Sequence, residues 1–243
     1  MNLELKNKII IVTGAAGIKG SIGETMIKHL VKEGSIPAII DRNDRGFEYV
    51  EEIKKSGIDA LFCKTDVTDP NQIKKSIKLI AAKYGRIDAI INNVGVNDGV
   101  GFDSSYNDFM NSLKLNMVSY FLVVKYALPY LKVSKGNSLN IGSKVAVTGQ
   151  GGTSGYAASK GGVLGLTREW AVDLIKYSIR VNALIIAESW TPSYENWIKT
   201  LKNGKQKLKS IIEKIPFEKR MTKTDEIANT ALFIISNKSS HTT

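Results

Sequence analysis

The sequence is poor in residues that form covalent cross-links or bind metals. It contains one cysteine, Cys63, and two histidines, His29 and His241. A single cysteine excludes an intramolecular disulfide, which is typical of proteins from a reducing cytosol. The two histidines are isolated and no Cys/His cluster with metal-ligand spacing occurs, which argues against a zinc site. We therefore expect a cytoplasmic protein without a bound metal, in which Cys63 is a small buried side chain.

Long apolar runs are also absent. No run approaches the about 20 residues that a transmembrane helix needs. The first eight residues, MNLELKNK, have mixed charge and do not resemble a signal peptide. We therefore expect no membrane association. Hydrophobic residues make up 43% of the 243 residues and charged residues 23%, which is typical of a globular protein built as one large domain.

Acidic residues are outnumbered by basic ones, which gives a formal net charge of +11. Such a charge favours either nucleic-acid binding or a lysine-rich solvated surface. The lysines are spread along the whole chain, without a dense run or interleaved aromatic residues. We therefore favour the solvated surface and expect no nucleic-acid partner, although the positive field would also suit an anionic cofactor.

Short apolar, β-branched segments alternate with helical patterns along the entire chain. The predicted strands are 8–13, 36–40, 60–64, 87–91, 137–141 and 179–186. The predicted helices are 24–33, 46–56, 70–84, 108–131, the segment that contains Tyr156, and 225–236. This alternation predicts an α/β fold, a single-domain, Rossmann-like doubly wound parallel sheet over residues 1–243 with helices on both faces. Residues 188–215 are polar and dotted with aromatics, which predicts an irregular substrate lid.

A glycine-rich turn, from Gly14 to Gly23, joins the first strand to the first helix. Glycines in this context let the backbone approach a pyrophosphate, and the helix N-terminus offers free N–H groups. The turn therefore predicts a dinucleotide site, although a tight turn without a ligand is the alternative. Asp41 ends the second strand, where a carboxylate can bind a ribose diol and repel a 2′-phosphate, which favours NAD over NADP. Arg42 could instead meet a phosphate, so NADP stays possible.

Tyr156 and Lys160 are four residues apart and would share one face of a helix. A nearby cation favours the phenolate form of tyrosine and makes it a usable general acid or base. The same spacing arises by chance in many helices, so the pair alone does not establish a catalytic site. Asn116, in the middle of a predicted helix, is a poor helix former, so it is either functional or a surface residue.

Taken together, these segments resemble the short-chain dehydrogenases/reductases. The matching motifs are Thr13-Gly14 with the later glycines, Asp66-Val67, Asn92-Asn93-Val94-Gly95, Asn116, Ser143, Tyr156-x-x-x-Lys160 and Arg180-Val181-Asn182-Ala183. Ser143 lies 13 residues before Tyr156, as the family's catalytic serine does. The resemblance implies an NAD(P)-dependent enzyme and covers essentially the whole chain.

The resemblance also implies the roles of individual residues. Tyr156 exchanges a proton with the reacting oxygen, Ser143 hydrogen-bonds that oxygen, Lys160 lowers the pKa of Tyr156 and binds ribose, and Asn116 holds a water linked to Lys160. The implied cofactor contacts are Gly14, Gly17, Gly20, Ile22, Asp41, Arg42, Asp66, Val67, Asn93, Gly95, Tyr156, Lys160 and Thr191. The last glycine of the family's motif can be assigned in two ways. Counted forward from Gly14, it is Gly20. Counted back from Gly34 along the first helix, it is Gly23, and the turn then contains three extra residues.

Further segments look like bacterial L-fucose dehydrogenases, which oxidise the anomeric carbon of a free sugar. These segments are 97–99, 143–151, 167–172 and 191–198. The implied substrate is a monosaccharide, with contacts from Asn97, Asp98, Ser143, Gln150, Tyr156, Glu188 and Trp197. The alternatives are a carbonyl reductase of the 3-oxoacyl or steroid type and, more remotely, a non-catalytic dinucleotide-binding protein.

Two departures from the family pattern affect expectations near the end of the chain. Ile186-Ala187 stand where many relatives have Pro-Gly after the sixth strand. Relatives usually continue into a seventh strand with a glycine-rich tail that supports tetramers, whereas this sequence ends at Thr243. We therefore expect six strands in the sheet and no tail-supported assembly of the usual kind. The resemblance still implies a homo-oligomer, either a tetramer or a dimer.

Overall fold

A central sheet of six parallel strands organises the computed structural model, which describes residues 2–243. The strands lie in the order β3-β2-β1-β4-β5-β6. Their bounds are β1 Ile9–Thr13, β2 Ile36–Asp41, β3 Leu61–Lys64, β4 Ala89–Asn92, β5 Asn137–Ser143 and β6 Arg180–Ile186. Two further segments, β7 Ser189–Trp190 and β8 Thr222–Lys223, form a separate two-stranded parallel pair. The predicted six-stranded doubly wound α/β fold is therefore confirmed.

Within residues 2–243, ten α-helices connect and cover the strands. They are α1 Ile22–Lys32, α2 Arg45–Lys55, α3 Pro70–Tyr84, α4 Tyr106–Leu113, α5 Ser119–Ser134, α6 Val145–Thr148, α7 Ser154–Leu174, α8 Pro192–Thr200, α9 Gly204–Glu213 and α10 Thr224–Ile235. No helix within residues 2–243 has the length and apolarity needed to cross a membrane.

Alternate residues of β1 point into two different hydrophobic layers. Ile10 and Val12 pack with apolar side chains of α1, α2 and α10. Ile9 and Ile11 pack with those of α3, α5 and α7. Because successive strand residues face opposite sides of a sheet, a strand that is apolar throughout is buried on both faces. Helices thus cover both faces of the sheet, as the sequence predicts.

The winding direction of the chain reverses beside β1. Strand β1 pairs with β2 on one side and with β4 on the other. The connections that leave β1 and β4 therefore diverge and open a crevice at the carboxyl edge of the sheet, where doubly wound folds bind ligands. Gly14, Asp41, Asn93 and Ser143 all lie at this edge, at or just beyond the ends of their strands.

The segment predicted as one helix over 108–131 is interrupted. A π-helical turn, Lys114–Val118, separates α4 from α5 and contains Asn116. The side-chain nitrogen of Asn116 donates to the Ser112 carbonyl oxygen at 3.1 Å. The Asn116 side chain therefore bonds to the backbone of the last turn of α4. Single π-turns inside α-helices are frequent at functional sites.

The prediction that residues 188–215 are irregular is wrong, because this segment contains α8 and α9. Helix α8 begins with Thr191, whose hydroxyl accepts from the Tyr194 amide at 3.1 Å, and with Pro192 at the first helical position. These are ordinary helix-start signals. The polar composition of the segment reflects largely solvated helix faces and not an absence of helix.

Candidate active site

The glycine turn and the loop after β4 are joined at the crevice. The Asn93 amide nitrogen donates to the Thr13 carbonyl oxygen at 2.9 Å and to that of Gly14 at 3.0 Å. Gly14 has a positive φ of 71°, and a Cβ there would lie 2.8 Å from the Val94 Cα. The turn therefore requires glycine at this position both for its conformation and for close packing.

Gly23, and not Gly20, is the glycine that brings α1 against β1. A Cβ on Gly23 would lie 2.5 Å from the Gly14 carbonyl oxygen. Gly20 instead adopts a positive φ of 80° in the turn and faces Pro192 of α8. This geometry supports the longer of the two turns considered from the sequence, with Ile22 as the first residue of α1. A Cβ on Gly17 would contact no atom within 4 Å, so the role of Gly17 toward a cofactor stays a prediction.

A buried carboxylate that the sequence analysis missed holds the extended turn. Glu24 accepts hydrogen bonds from the Gly20 amide and, at 2.6 Å, from the Arg45 guanidinium. Arg45 also donates to the Ala16 carbonyl oxygen at 3.3 Å. Burial alone would raise the pKa of Glu24, but these donors outweigh it and the pKa lies below its ordinary value. Glu24 is therefore a charged anchor of the turn.

Asp41 is buried at the end of β2. Its carboxylate accepts from the Ala16 amide and from the Asn43 amide, both at 2.9 Å. The Arg42 side chain is exposed. Asp41 thus connects the glycine turn to the end of β2, where a ribose would lie in the predicted dinucleotide site.

Two further residues predicted to contact the adenosine, Asp66 and Val67, follow β3, which is the neighbour of β2 in the sheet. The Asp66 carboxylate accepts from the Thr68 amide and hydroxyl at 2.8 and 2.7 Å. Val67 is buried among apolar side chains. Their contact with an adenine stays a prediction.

Helix α7 and strand β5 bring together Ser143, Tyr156 and Lys160, the three side chains that are predicted to take part in proton transfer. Tyr156 and Lys160 lie on one face of α7, with the ammonium nitrogen 5.7 Å from the centre of the Tyr156 ring. Burial raises the pKa of Tyr156, contact with the Ser143 hydroxyl opposes this rise, and the Asp98 charge adds to it. The lowering of the Tyr156 pKa that was expected from Lys160 is not seen in this structure.

Lys160 is fully buried. This burial explains why its charge does not lower the Tyr156 pKa. Its ammonium donates to the Ile141 carbonyl oxygen at 2.7 Å and to the Tyr120 hydroxyl at 3.0 Å. Burial lowers the pKa of Lys160 to about 7, because a desolvated ammonium is costly. The charge available to Tyr156 therefore depends on the groups around Lys160. The Tyr120 contact was not expected from the sequence, although Tyr120 stands four residues after Asn116.

Asn116 holds the loop after β4 beside Lys160. Its side-chain oxygen accepts from the Val96 amide at 2.8 Å, and its nitrogen donates to the Val96 carbonyl oxygen at 3.1 Å. A Cβ on Gly95 would lie 3.2 Å from the Asn116 side-chain oxygen and 3.4 Å from the Lys160 ammonium nitrogen. Gly95 therefore separates the two side chains, and a water link between them stays a prediction.

Some of the predicted substrate residues form one cluster. Glu188 pairs with the Lys144 ammonium and accepts from the Tyr194 hydroxyl at 3.3 Å. The Trp197 ring stands edge-on to the Tyr194 ring, with the ring centres 5.2 Å apart. Lys144 directly follows Ser143, so this cluster lies at the carboxyl end of β5. The sequence analysis assigned no role to Lys144 or Tyr194.

The other predicted substrate residues lie on two exposed loops. Asp98 comes close enough to Tyr156 for its charge to affect the Tyr156 pKa. Asn97 is exposed on the same loop, and Gln150 is exposed on the loop before α7. The Thr191 hydroxyl already caps α8, so contact with a nicotinamide would use its free O–H. No cluster of three potential metal ligands occurs within residues 2–243.

An apolar groove of about 460 Å³ lies between β6 and the helices that follow it. Leu184, Ile186, Ile215, Phe217 and Ile227 are among its lining residues. None of the predicted catalytic or substrate residues lines this groove. The surroundings of Ser143 and Tyr156 are instead mixed, with charged and aromatic side chains.

Comparisons with known proteins cover all the segments that contribute to this crevice. A family model described as Enoyl-(Acyl carrier protein) reductase matches residues 14–243. The chain is 32% identical to a 3-oxoacyl-(acyl-carrier-protein) reductase of Thermotoga maritima, over 99% of this chain and 95% of that protein. It is 30% identical to an L-fucose dehydrogenase of Bos taurus, over 97% of this chain and 86% of that protein.

A solved structure is similar over the full chain. The crystal structure of Cj0485 dehydrogenase superposes with a TM-score of 0.94 at 41% identity. The match covers 100% of this chain and 92% of that one. The glycine turn and helices α7, α8 and α9 therefore all lie within the shared fold.

The buried charge of Lys160 leads to a prediction about stability. Below pH 7 Lys160 is charged in both the folded and the unfolded protein, so its full desolvation cost lowers the free energy of unfolding. As pH rises from about 7 toward 10.5, Lys160 is neutral in the folded protein and this cost disappears. Lys160→Met should therefore increase the free energy of unfolding by about 2 kcal/mol at pH 6, with a smaller gain at pH 9.5. Urea denaturation at both pH values measures this difference.

Lys78→Met, at an exposed position of α3, is the matched control and should show no such pH-dependent difference. A Lys160→Met effect that is equal at the two pH values would contradict the buried-charge account.

Proposed function

The chain belongs to the short-chain dehydrogenase/reductase family, and we propose that it oxidises L-fucose or a similar aldose at C1 to the lactone, with NAD as the preferred cofactor. The observation that carries this proposal is the cluster of Lys144, Glu188, Tyr194 and Trp197 beside Ser143. Charged and hydroxyl groups suit sugar hydroxyls, and an aromatic face suits the C–H surface of a sugar ring.

Proton transfer is assigned to Tyr156. For oxidation its phenolate accepts the proton of the C1 hydroxyl, while the Ser143 hydroxyl hydrogen-bonds the same oxygen and fixes its direction. Burial disfavours that phenolate, so a cation is needed near it. The Lys160 ammonium is on the same helix face and, when charged, supplies this cation.

The residues at the crevice fit a dinucleotide. The close approach of Gly14 and Gly23 and the N-terminus of α1 suit a pyrophosphate, while Asp41 suits an adenosine ribose. Asn93 and Gly95 border the same crevice after β4. When bound, the nicotinamide cofactor supplies the carbon that accepts the hydride. The protein's part is to hold the sugar C1 in line with that position and to remove the hydroxyl proton.

A carbonyl reductase acting on an acyl or steroid-like substrate is the second candidate. The similarity to a 3-oxoacyl-(acyl-carrier-protein) reductase favours it. The apolar groove beside β6 would suit an alkyl chain, but its lining residues are not those around Ser143 and Tyr156. The polar and aromatic cluster next to Ser143 supports the sugar substrate instead.

A substrate panel tests the reaction. With NAD, the wild-type protein should reduce the cofactor in the presence of L-fucose or a like-configured aldose, and absorbance of NADH measures the rate. Tyr156→Phe should lower kcat at least about 100-fold, because it removes the proton acceptor and keeps the ring. Tyr84→Phe, whose hydroxyl bonds to Asp59 away from the site, is the control and should keep full activity.

No turnover of any aldose together with clean reduction of a 3-oxoacyl or steroid ketone would establish the second candidate. Absence of any Tyr156-dependent turnover would favour a non-catalytic dinucleotide-binding protein.

Cofactor preference depends on the charge of Asp41. The wild type should prefer NAD, and Asp41→Asn should reduce the ratio of kcat/KM for NAD over NADP by about tenfold or more, because the amide does not repel a 2′-phosphate. The amide also loses one of the two backbone N–H bonds that Asp41 accepts, and this loss should affect both cofactors and leave their ratio unchanged. Asp59→Asn, which makes the same charge change at the opposite edge of the sheet, should leave the ratio unchanged. A wild type that strongly prefers NADP would show that Arg42, and not Asp41, decides.

A further inference from the structure

Tyr120 makes direct contact with the buried ammonium of Lys160. Tyr120 belongs to α5 and is 1% exposed. Its hydroxyl oxygen accepts from the Lys160 ammonium at 3.0 Å and donates to the Val94 carbonyl oxygen at 2.9 Å. A phenol has one hydrogen to donate. The Val94 carbonyl oxygen is the nearer acceptor, and the Ile141 carbonyl oxygen lies 3.3 Å from the same hydroxyl. The hydrogen therefore points to a backbone carbonyl, and a lone pair is left for Lys160.

We propose that Tyr120 is a positioning residue that holds the Lys160 ammonium in place and keeps it charged for its work on Tyr156. The proposal rests on the proposed role of Lys160 in the same site. An ammonium has three N–H groups. Ile141 and Tyr120 accept two of them, so the third is left for a ribose hydroxyl. Two fixed acceptors thus determine where that third N–H points.

A neutral acceptor suits this position better than a carboxylate would. An acidic partner would offset the positive charge and weaken its effect on Tyr156. Burial raises the pKa of Tyr120 well above its ordinary value, so its phenol stays neutral. It can therefore solvate the ammonium without cancelling the charge.

Few other groups near Lys160 can stabilise its ammonium charge. Tyr120 from α5 and Tyr156 from α7 are the titratable side chains around the ammonium. Asn116 and Gly95, after β4, are uncharged, and Asp98 acts on Tyr156. Within residues 2–243 burial is the cause of the shifted pKa of Lys160, and no acidic side chain opposes it.

Lysine NMR of the cofactor-free protein tests the proposal without depending on activity. In protein labelled at the lysine Cε, one resonance should titrate near pH 7 and should disappear in Lys160→Met. In Tyr120→Phe the midpoint of that resonance should fall by about one pH unit, since the ammonium loses an acceptor while the ring still fills the space. Tyr84→Phe is the matched control and should leave the midpoint in place.

An unchanged midpoint in folded Tyr120→Phe would overturn the proposal. If that variant does not fold, Tyr120→Met removes the same acceptor with a side chain that adapts to irregular gaps, and the same outcomes apply. The activity of Tyr120→Phe gives a second readout, with kcat for the aldose expected to fall about tenfold. A shifted lysine midpoint in a protein that turns over no aldose would support the role of Tyr120 and refute only the sugar substrate.

Discussion

The buried ammonium of Lys160 is the interaction on which the catalytic part of the structure depends. It joins β5, through the Ile141 carbonyl, to α5, through the Tyr120 hydroxyl. Gly95 and Asn116 place the loop after β4 against it. A charge in such a dry place is stable only when polar acceptors surround it. The elements around the crevice are therefore arranged about one cation, which in the proposed mechanism helps the buried Tyr156 to lose its proton.

The cofactor side depends on a second buried charge. Glu24 holds the Gly20 amide and Arg45 together, and Arg45 reaches the Ala16 carbonyl. Asp41 fixes the same segment through the Ala16 amide. The glycine turn is thus shaped by side chains of α1, β2 and α2 before any ligand binds, so little conformational freedom is left to lose on binding.

Local signals in the sequence account for much of the fold. Apolar β-branched runs predicted all six strands. The helix predicted over 70–84 has the same bounds as α3, and it begins where the Asp69 carboxylate accepts from the Asn71 amide. Contacts between distant elements were not predictable in this way. From the sequence alone Tyr120 is an ordinary core residue, because its contact with Lys160 forms only when α5 packs against α7. The π-turn at Asn116 was missed because a poor helix former inside a helical pattern does not reveal where an extra residue enters the turn. Helices α8 and α9 were missed because polar composition does not by itself distinguish a solvated helix from a loop.

The central claim is that hydride leaves the sugar C1 while Tyr156 removes the hydroxyl proton of the same carbon. An aldose that carries deuterium at C1, incubated with NAD and the wild-type protein, tests this claim directly. Mass spectrometry of the reduced cofactor should find one deuterium per molecule, and the lactone should contain none. Reduced cofactor without deuterium, or deuterium retained in the sugar product, would contradict the account.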